Sequence, residues 1–234
     1  MSSPTTLTLN DRDIRQRDIV PADRLANCHA LVIGVGAIGR QVAMQLAAIG
    51  MPRLTLIDDD DVQIENLAPQ GYWPADLGAQ KVHSTTGLCR RINPSIEIMP
   101  VADRFRRSST RTLPTDRQMV VFMCVDSIQA RRLIWEALCR QISFFVDGRM
   151  SAEVVRVLAT NSPATDDYYA TTLFQPEQAF VGSCTAKSTI YTANIAAGLM
   201  VGQFTRWLRR MPVDADVTLN LLSMELTVGL PVGV

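Results

Sequence analysis

The feature that most constrains the fold is a glycine-rich turn between an apolar segment and a helix-forming segment. Residues 30–34 are apolar and rich in β-branched side chains, a pattern typical of a buried parallel strand. Gly34, Gly36 and Gly39 then form GVGAIG, and the alanine-, leucine- and methionine-rich segment after them favours a helix that ends near Gly50. A strand, a GxGxxG turn and a helix form the start of a βαβ unit, which binds a nucleotide phosphate at the helix N-terminus.

The rest of the chain alternates between strand and helix patterns. Strands are predicted at 54–57, 97–101, 119–125, 143–146 and 154–159, helices at 81–92, 127–141 and 188–210, and one or two further strands at 217–228. Residues 161–178 lack either pattern and are predicted to form a surface loop. This order predicts an α/β, Rossmann-like fold: a mostly parallel sheet with helices on both faces and antiparallel strands at the C-terminal end.

The chain shows no internal repeat and no linker, which favours one folded unit. Residues 1–29 are predicted to be an N-terminal helical segment that packs on the domain or on a partner subunit. Residues 30–234 are predicted to form a single domain with a crossover loop near 161–187.

The charge balance argues against two classes of partner. The 23 basic and 23 acidic residues give a formal net charge of zero. Nucleic acids and anionic membranes are usually bound by a concentrated basic field. We therefore expect no nucleic-acid partner and no membrane partner.

The five cysteines are scattered and form no CxxC pair, so neither a zinc site nor a disulfide framework is indicated. The first residues lack the pattern of a signal peptide, and no segment has the length and apolarity of a membrane span. We expect a soluble protein of the reducing cytoplasm.

An aspartate follows the second predicted strand. Asp58 lies 19 residues after Gly39, where a carboxylate can accept hydrogen bonds from ribose hydroxyls. Taken alone, the glycine turn and Asp58 indicate a bound nucleotide, and NAD-dependent redox chemistry would be the favoured interpretation.

The segments that follow favour a different nucleotide. LTLIDDDDVQIENLAPQ at 54–70 and DLGAQK at 76–81 resemble the ATP site of the ThiF, MoeB and E1 ubiquitin-activating superfamily. The resemblance implies that Asp58 holds the ribose, that Asn66 and Lys81 reach the phosphates and that Gln70 shapes the pocket. It also places Asp60 in the nucleotide site.

A third block, CVDSIQARR at 124–132, is similar to the segment in which the family places a Mg²⁺ ligand. The resemblance implies that Asp126 binds the metal on the triphosphate, and Mg²⁺ prefers such hard oxygen ligands. The alternative is that Asp126 is the N-cap of the helix predicted at 127–141. Arg149 follows another strand end and is a candidate contact for substrate or phosphate.

A fourth block, GSCTAKSTIYTANIAAGLMVGQF at 182–204, resembles the family segment with a cysteine in a crossover loop before a helix. Cys184 would be the catalytic cysteine that receives an acyl group as a thioester. Ser183 is the alternative acceptor, and the other four cysteines are interpreted as structural.

The chain departs from the family at Pro69, where the motif NLxRQ has an arginine. Either another arginine takes its place at the triphosphate, or catalysis is weakened or lost. Arg15 and Arg17 are candidates, because family members often place an N-terminal arginine in the partner subunit's ATP site. Arg40 and Arg131 lie near the appropriate loops.

The resemblance implies an enzyme that uses ATP and Mg²⁺ to adenylate the C-terminal carboxylate of a small ubiquitin-like protein and then forms a thioester at Cys184. Its partners would be a carrier protein ending in glycine, an E2-like conjugating protein and a second copy in a homodimer. Activation of a sulfur-carrier protein is the nearest alternative. A non-catalytic E1-like binding subunit and a nicotinamide-dependent oxidoreductase are alternatives of other classes.

Overall fold

In a computed structural model of the chain, the described residues 12–113, 117–173 and 189–229 form one eight-stranded sheet with flanking helices. The strands are β1 (Cys28–Ile33), β2 (Arg53–Ile57), β3 (Glu97–Val101), β4 (Gln118–Met123), β5 (Phe144–Ser151), β6 (Val154–Thr160), β7 (Asp216–Asn220) and β8 (Glu225–Gly229). The α-helices are α1 (Ala22–Leu25), α2 (Ala37–Ala48), α3 (Leu67–Gln70), α4 (Lys81–Ile92), α5 (Ile128–Leu138), α6 (Pro163–Thr171) and α7 (Ile190–Leu208).

The sheet has the order β3-β2-β1-β4-β5-β6-β7-β8. Neighbouring strands from β3 to β5 are parallel, whereas β6, β7 and β8 are each antiparallel to the strand before them. Only two residues connect Ser151 to Val154, and so short a connection permits antiparallel pairing alone. The predicted Rossmann-like class, with antiparallel strands at the C-terminal end, is confirmed.

Helices cover both faces of the parallel strands and create two apolar cores. On one face α2, α4 and α7 pack against side chains such as Val32 and Phe122. On the other face Trp135 of α5 and Tyr169 of α6 pack against Phe145 in edge-on ring contacts. Because successive side chains of a strand point to opposite faces, a strand buried on both sides needs the continuous apolar pattern seen in the sequence.

The loop prediction for 161–178 is wrong over Pro163–Thr171, which form α6. Proline occupies the first turn, where no helical N–H is lost, and the Ser162 side chain accepts a hydrogen bond from the Thr165 N–H. The Thr165 hydroxyl in turn accepts from the Ser162 N–H. The sequence does not predict this helix, because its residues are mostly polar and show no helical repeat of apolar side chains. The Ser-Pro pair that begins a helix was nevertheless present.

Within the described ranges, no helix combines the length and the apolarity that crossing a membrane requires.

Candidate active site

The strand order reverses at β1, because β2 and β3 extend the sheet to one side of β1 while β4 lies on the other. Crevices at such a reversal, beyond the carboxyl ends of the strands, are where open α/β sheets bind ligands. The glycine turn follows β1 at this point, and the segments after β2 and β4 end beside it. The fold therefore brings three of the predicted motifs to one edge of the sheet.

Two glycines of the turn are required by close backbone approaches. Gly34 has a φ of +86°, and a Cβ there would lie 2.7 Å from the carbonyl oxygen of Cys124 at the end of β4. A Cβ on Gly39 would overlap the carbonyl oxygen of Gly34. These contacts let the first turn of α2 pack tightly on the glycine turn and on the end of β4.

Asp58, at the end of β2, is joined to the glycine turn. Its Oδ2 accepts a hydrogen bond from the Val35 N–H at 2.6 Å, and its Oδ1 accepts from the Asp60 N–H at 2.9 Å. Burial raises the pKa of Asp58 above its ordinary value, while these hydrogen bonds and the charge of Lys81 oppose that rise. The carboxylate is thus fixed beside the turn, in the place that the sequence predicted for a ribose ligand.

The segment between β2 and α4 holds the other predicted phosphate residues. Lys81 begins α4, and its Nζ lies 2.7 Å from Oδ2 of Asp60. The Lys81 side chain is only 6% exposed, whereas that of Asp60 is 60% exposed. Asn66 ends a short 3-10 helix and accepts a hydrogen bond from the Gln63 N–H. Asp60, Asn66 and Lys81 thus belong to one segment of chain, which begins at the end of β2 and ends at the start of α4.

Gln70, in the segment between β2 and α4, lies beside the glycine turn. Its side-chain amide approaches Gly36, with Oε1 and Nε2 each 3.9 Å from the position that a Cβ on Gly36 would take. Its Oε1 is buried and has no hydrogen-bond partner among the described residues. An unpaired acceptor beside the glycine turn is consistent with the predicted role of Gln70 in shaping a ligand pocket.

Asp126 follows β4 and has an exposed side chain. The alternative role as N-cap of α5 belongs to its neighbour instead, because the Ser127 hydroxyl accepts from the Ala130 N–H. Asp126 is therefore not the N-cap of α5. Its backbone carbonyl accepts from Nη1 of Arg131 at 2.9 Å, which fixes the turn that presents the carboxylate.

The donor set fits a magnesium ion that is bound partly by a nucleotide. In the described part of the chain, no group of three or more His, Cys, Asp or Glu side chains could hold a metal ion. Mg²⁺ is commonly held by one or two carboxylates together with substrate phosphates, and one exposed carboxylate at a strand end matches that arrangement.

The N-terminal arginines lie far from the crevice of their own chain. Arg12 donates to the carbonyls of Ala47 and Ala48, so the segment around it packs on the C-terminal end of α2. The glycine turn lies at the other end of this helix, about 18 Å away for twelve residues. Gln16 donates to the Ile49 carbonyl just past the same end of α2, and its neighbours Arg15 and Arg17 are exposed there.

Cys184 and Ser183 lie outside the described residues, as does most of the predicted crossover loop. Three of the other cysteines are poor nucleophiles. Burial raises the pKa of Cys28 and of Cys89 to about 12 and also raises the pKa of Cys124. Because a thiolate is the reactive form, the interpretation of these three as structural is consistent with their environment.

One buried ionic cluster was not predicted from the sequence. Asp147 in β5 is fully buried and binds Nε of Arg131 at 3.0 Å, Nε of Arg149 at 2.7 Å and the Tyr169 hydroxyl at 3.0 Å. Arg149 also donates to the carbonyl and the hydroxyl of Thr172. The expectation that Arg149 contacts substrate is therefore not supported, because internal partners occupy its guanidinium. Tyr169 comes from the helix that sequence reasoning missed.

Another buried cation lies in the first turn of α2. Arg40 is 2% exposed and donates to the Gly71 carbonyl and to the Thr85 hydroxyl. Its guanidinium also lies 4.0 Å from the ring centre of Tyr72. In the sequence, the only sign of this buried cation is an arginine directly after the last glycine of the turn.

Comparison with known proteins identifies a family for this chain. The model of the ThiF family matches residues 11–227. "Adenylyltransferase and sulfurtransferase MOCS3" of Sus scrofa is 36% identical over 115 residues, which is 49% of this chain and 25% of that protein. "Molybdopterin-synthase adenylyltransferase" of Salmonella typhimurium is 33% identical over 119 residues, 50% of this chain and 47% of that protein. The matches thus span half or less of these relatives.

Solved structures with the same fold include PaaA, with a TM-score of 0.76 at 18% identity over 98% of this chain and 85% of that one. MccB of E. coli solved with ATP has a TM-score of 0.68 at 16% identity, covering 89% of this chain and 65% of that one. At such identities these structures show the fold alone. The family model covers nearly the whole sequence and includes every described strand up to the middle of β8, so this chain belongs to the ThiF family.

Proposed function

We propose that this chain adenylates the C-terminal carboxylate of a small carrier protein at the expense of ATP. The observation that carries the proposal is the convergence of the glycine turn, Asp58, Lys81 and Asp126 on the crevice where the strand order reverses. No two of these lie in the same secondary-structure element, yet all four match positions of the family's ATP site. Both relatives described above are named adenylyltransferases, which supports this reaction class.

In the proposed reaction a carboxylate oxygen of the carrier attacks the α-phosphorus of ATP. An acyl–O–P bond forms, the bond from the α-phosphorus to the oxygen bridging to the β-phosphorus breaks, and pyrophosphate leaves with that electron pair. Asp58 would orient the ribose, and Lys81 would neutralise charge on the phosphates. Asp126 would hold Mg²⁺, which offsets charge on the triphosphate when bound. Positioning and charge neutralisation are the usual sources of rate in such a transfer.

The carrier is proposed to be a sulfur-carrier or ubiquitin-like protein with a C-terminal glycine. "SAMP-activating enzyme E1" of Haloferax volcanii is 31% identical over 99 residues, and "Ubiquitin-like modifier-activating enzyme 5" of Branchiostoma floridae is 28% identical over 144. The names of these two relatives and of the molybdopterin-synthase adenylyltransferase refer to different protein substrates. A second copy in a homodimer and an E2-like partner belong to the same proposal.

The reaction class is tested by ATP–pyrophosphate exchange. We expect labelled pyrophosphate to enter ATP only when a carrier protein with an intact C-terminal glycine is present. Removing that glycine is the matched control and should abolish exchange. Pro69 favours a second candidate, a non-catalytic binding subunit, which should bind the carrier and show no exchange with it.

The thioester step has its own expected result. Incubation of enzyme, ATP and carrier should give an adduct that survives denaturation and is cleaved by a thiol reagent, because a thiolate that attacks an acyl-adenylate releases AMP. Cys184→Ala should lose the adduct and keep exchange, whereas the control Cys139→Ala should keep both. An adduct that persists in Cys184→Ala and disappears in Ser183→Ala would assign the acyl group to the serine instead.

A further inference from the structure

The charge of Arg40 has no carboxylate to balance it. Its guanidinium contacts the neutral oxygens of Gly71 and Thr85 and the ring face of Tyr72. No carboxylate of the described residues lies within ion-pair distance of its guanidinium. Arginine stays protonated in proteins, so Arg40 is a permanent positive charge in a nearly closed environment.

A buried charge of this kind is costly unless an opposite charge or hydrogen bonds compensate it. The other buried arginines behave differently, because Arg131 and Arg149 share the carboxylate of Asp147. Arg104, which also lies near the acidic run after β2, is exposed and pairs with Asp59. Among the candidates near the crevice, Arg40 is thus the cation that combines burial with the lack of an acidic partner.

The position of Arg40 connects it to the nucleotide site on two sides. Its Nε donates to the carbonyl of Gly71, two residues after Pro69. The ring of Tyr72, against which the guanidinium stacks, carries a hydroxyl that donates to the Val35 carbonyl at 2.7 Å. Val35 in turn donates its N–H to Asp58. The guanidinium therefore contacts the turn that carries residue 69 directly, and it is joined to the glycine turn through Tyr72.

We propose that Arg40 is the fixed cation of the nucleotide site and replaces, from beneath the turn, the arginine that the family places at position 69. It acts as a positioning residue that holds the turn at Gly71. It also raises the positive potential over the triphosphate without touching it. This inference rests on the proposed nucleotide site and adds to it the residue that makes the site selective for polyphosphates.

The potential of a buried cation grows in importance with the charge of the ligand, whereas a purely structural role affects all nucleotides alike. Coulomb energy at a partly screened separation predicts that Arg40→Gln lowers ATP affinity by about tenfold. We expect a much smaller change for AMP, which carries fewer charges. Titration calorimetry of the full chain with ATP, ADP and AMP measures this gradient, and thermal unfolding checks that the variant folds.

Two further variants complete the test. Arg40→Gln combined with Pro69→Arg should recover most of the ATP affinity, because it moves the cation to the family position. Arg24→Gln is the matched control, since Arg24 donates to the Leu208 carbonyl far from the crevice and forms no ion pair with another described residue. It should leave all three affinities unchanged.

Equal losses of ATP and AMP affinity in Arg40→Gln would overturn the proposal and leave Arg40 a structural residue. If that variant does not fold, Pro69→Arg in the wild-type background decides. A site that already holds its cation should gain little ATP affinity, and a gain of about tenfold or more would contradict the role of Arg40. Wild-type ATP binding without exchange would refute the proposed adenylation and leave this inference standing, whereas absence of ATP binding would remove both.

Discussion

Replacing Lys81 by methionine should lower the rate of ATP–pyrophosphate exchange by about a hundredfold to a thousandfold, the usual effect of removing one preorganised charge donor from a transfer site. Methionine keeps most of the buried aliphatic stem of Lys81, whose side chain is 6% exposed. Asp60 loses its ion pair but is 60% exposed, so water can solvate its carboxylate. The free energy of unfolding should therefore fall by only about 0–1 kcal/mol.

Two control variants separate a role on the phosphates from a role in the ion pair. Asp60→Asn breaks the same pair with the lysine left in place, and its exchange rate should fall far less than that of Lys81→Met. Arg53→Met removes a comparable charge at the start of β2, where Arg53 pairs with Glu97 on the surface. Equal losses in Lys81→Met and Asp60→Asn would show that Lys81 acts only through its pair.

The second large effect concerns stability and the buried cluster beneath the crevice. Asp147→Asn keeps the shape of the side chain but leaves Arg131 and Arg149 as buried cations without a carboxylate. Removing one partner of a buried ion pair commonly costs about 3–5 kcal/mol, and we expect the free energy of unfolding in urea to fall by that amount. Because the pair is screened little by salt, the loss should persist at high ionic strength.

An exposed pair supplies the comparison for Asp147. Arg106 pairs with Asp103 on the surface, where both side chains are more than half exposed, so Asp103→Asn should change the free energy of unfolding by about 0–1 kcal/mol. Adding Arg149→Met to Asp147→Asn should recover part of the lost stability by removing one uncompensated charge. Equal losses in Asp147→Asn and Asp103→Asn would mean that water reaches the cluster.

Where the sequence carries a strong period or a strong start signal, the predicted elements agree closely with the structure. The helix predicted at 81–92 and the strand predicted at 97–101 have the observed bounds. The strand predicted at 143–146 instead continues to Ser151. Its extension through Asp147 and Arg149 is polar in sequence, and it becomes strand because β6 pairs with it. A local sequence pattern does not show which strand will pair with a given segment.

The candidate site divides in the same way. The proposed roles of the glycine turn, Asp58, Lys81 and Asp126 come from local motifs, because a phosphate-binding turn and a strand-end carboxylate need particular residues at fixed spacing. The partners of Arg40 and Asp147 were not found, since they come from segments that meet only when the sheet and both helix layers have assembled.

The sequence alone determined the fold class, the glycine turn and the family resemblance, since each depends on short-range backbone geometry that few residues permit. The tertiary structure decided which charges are buried, which arginines are already paired and which strand ends share one crevice. It placed the segment that carries Arg15 and Arg17 at the far end of α2 and Arg40 against the carbonyl of Gly71, two residues after Pro69. Burial and pairing depend on side chains from several elements, so they exist only in the packed chain.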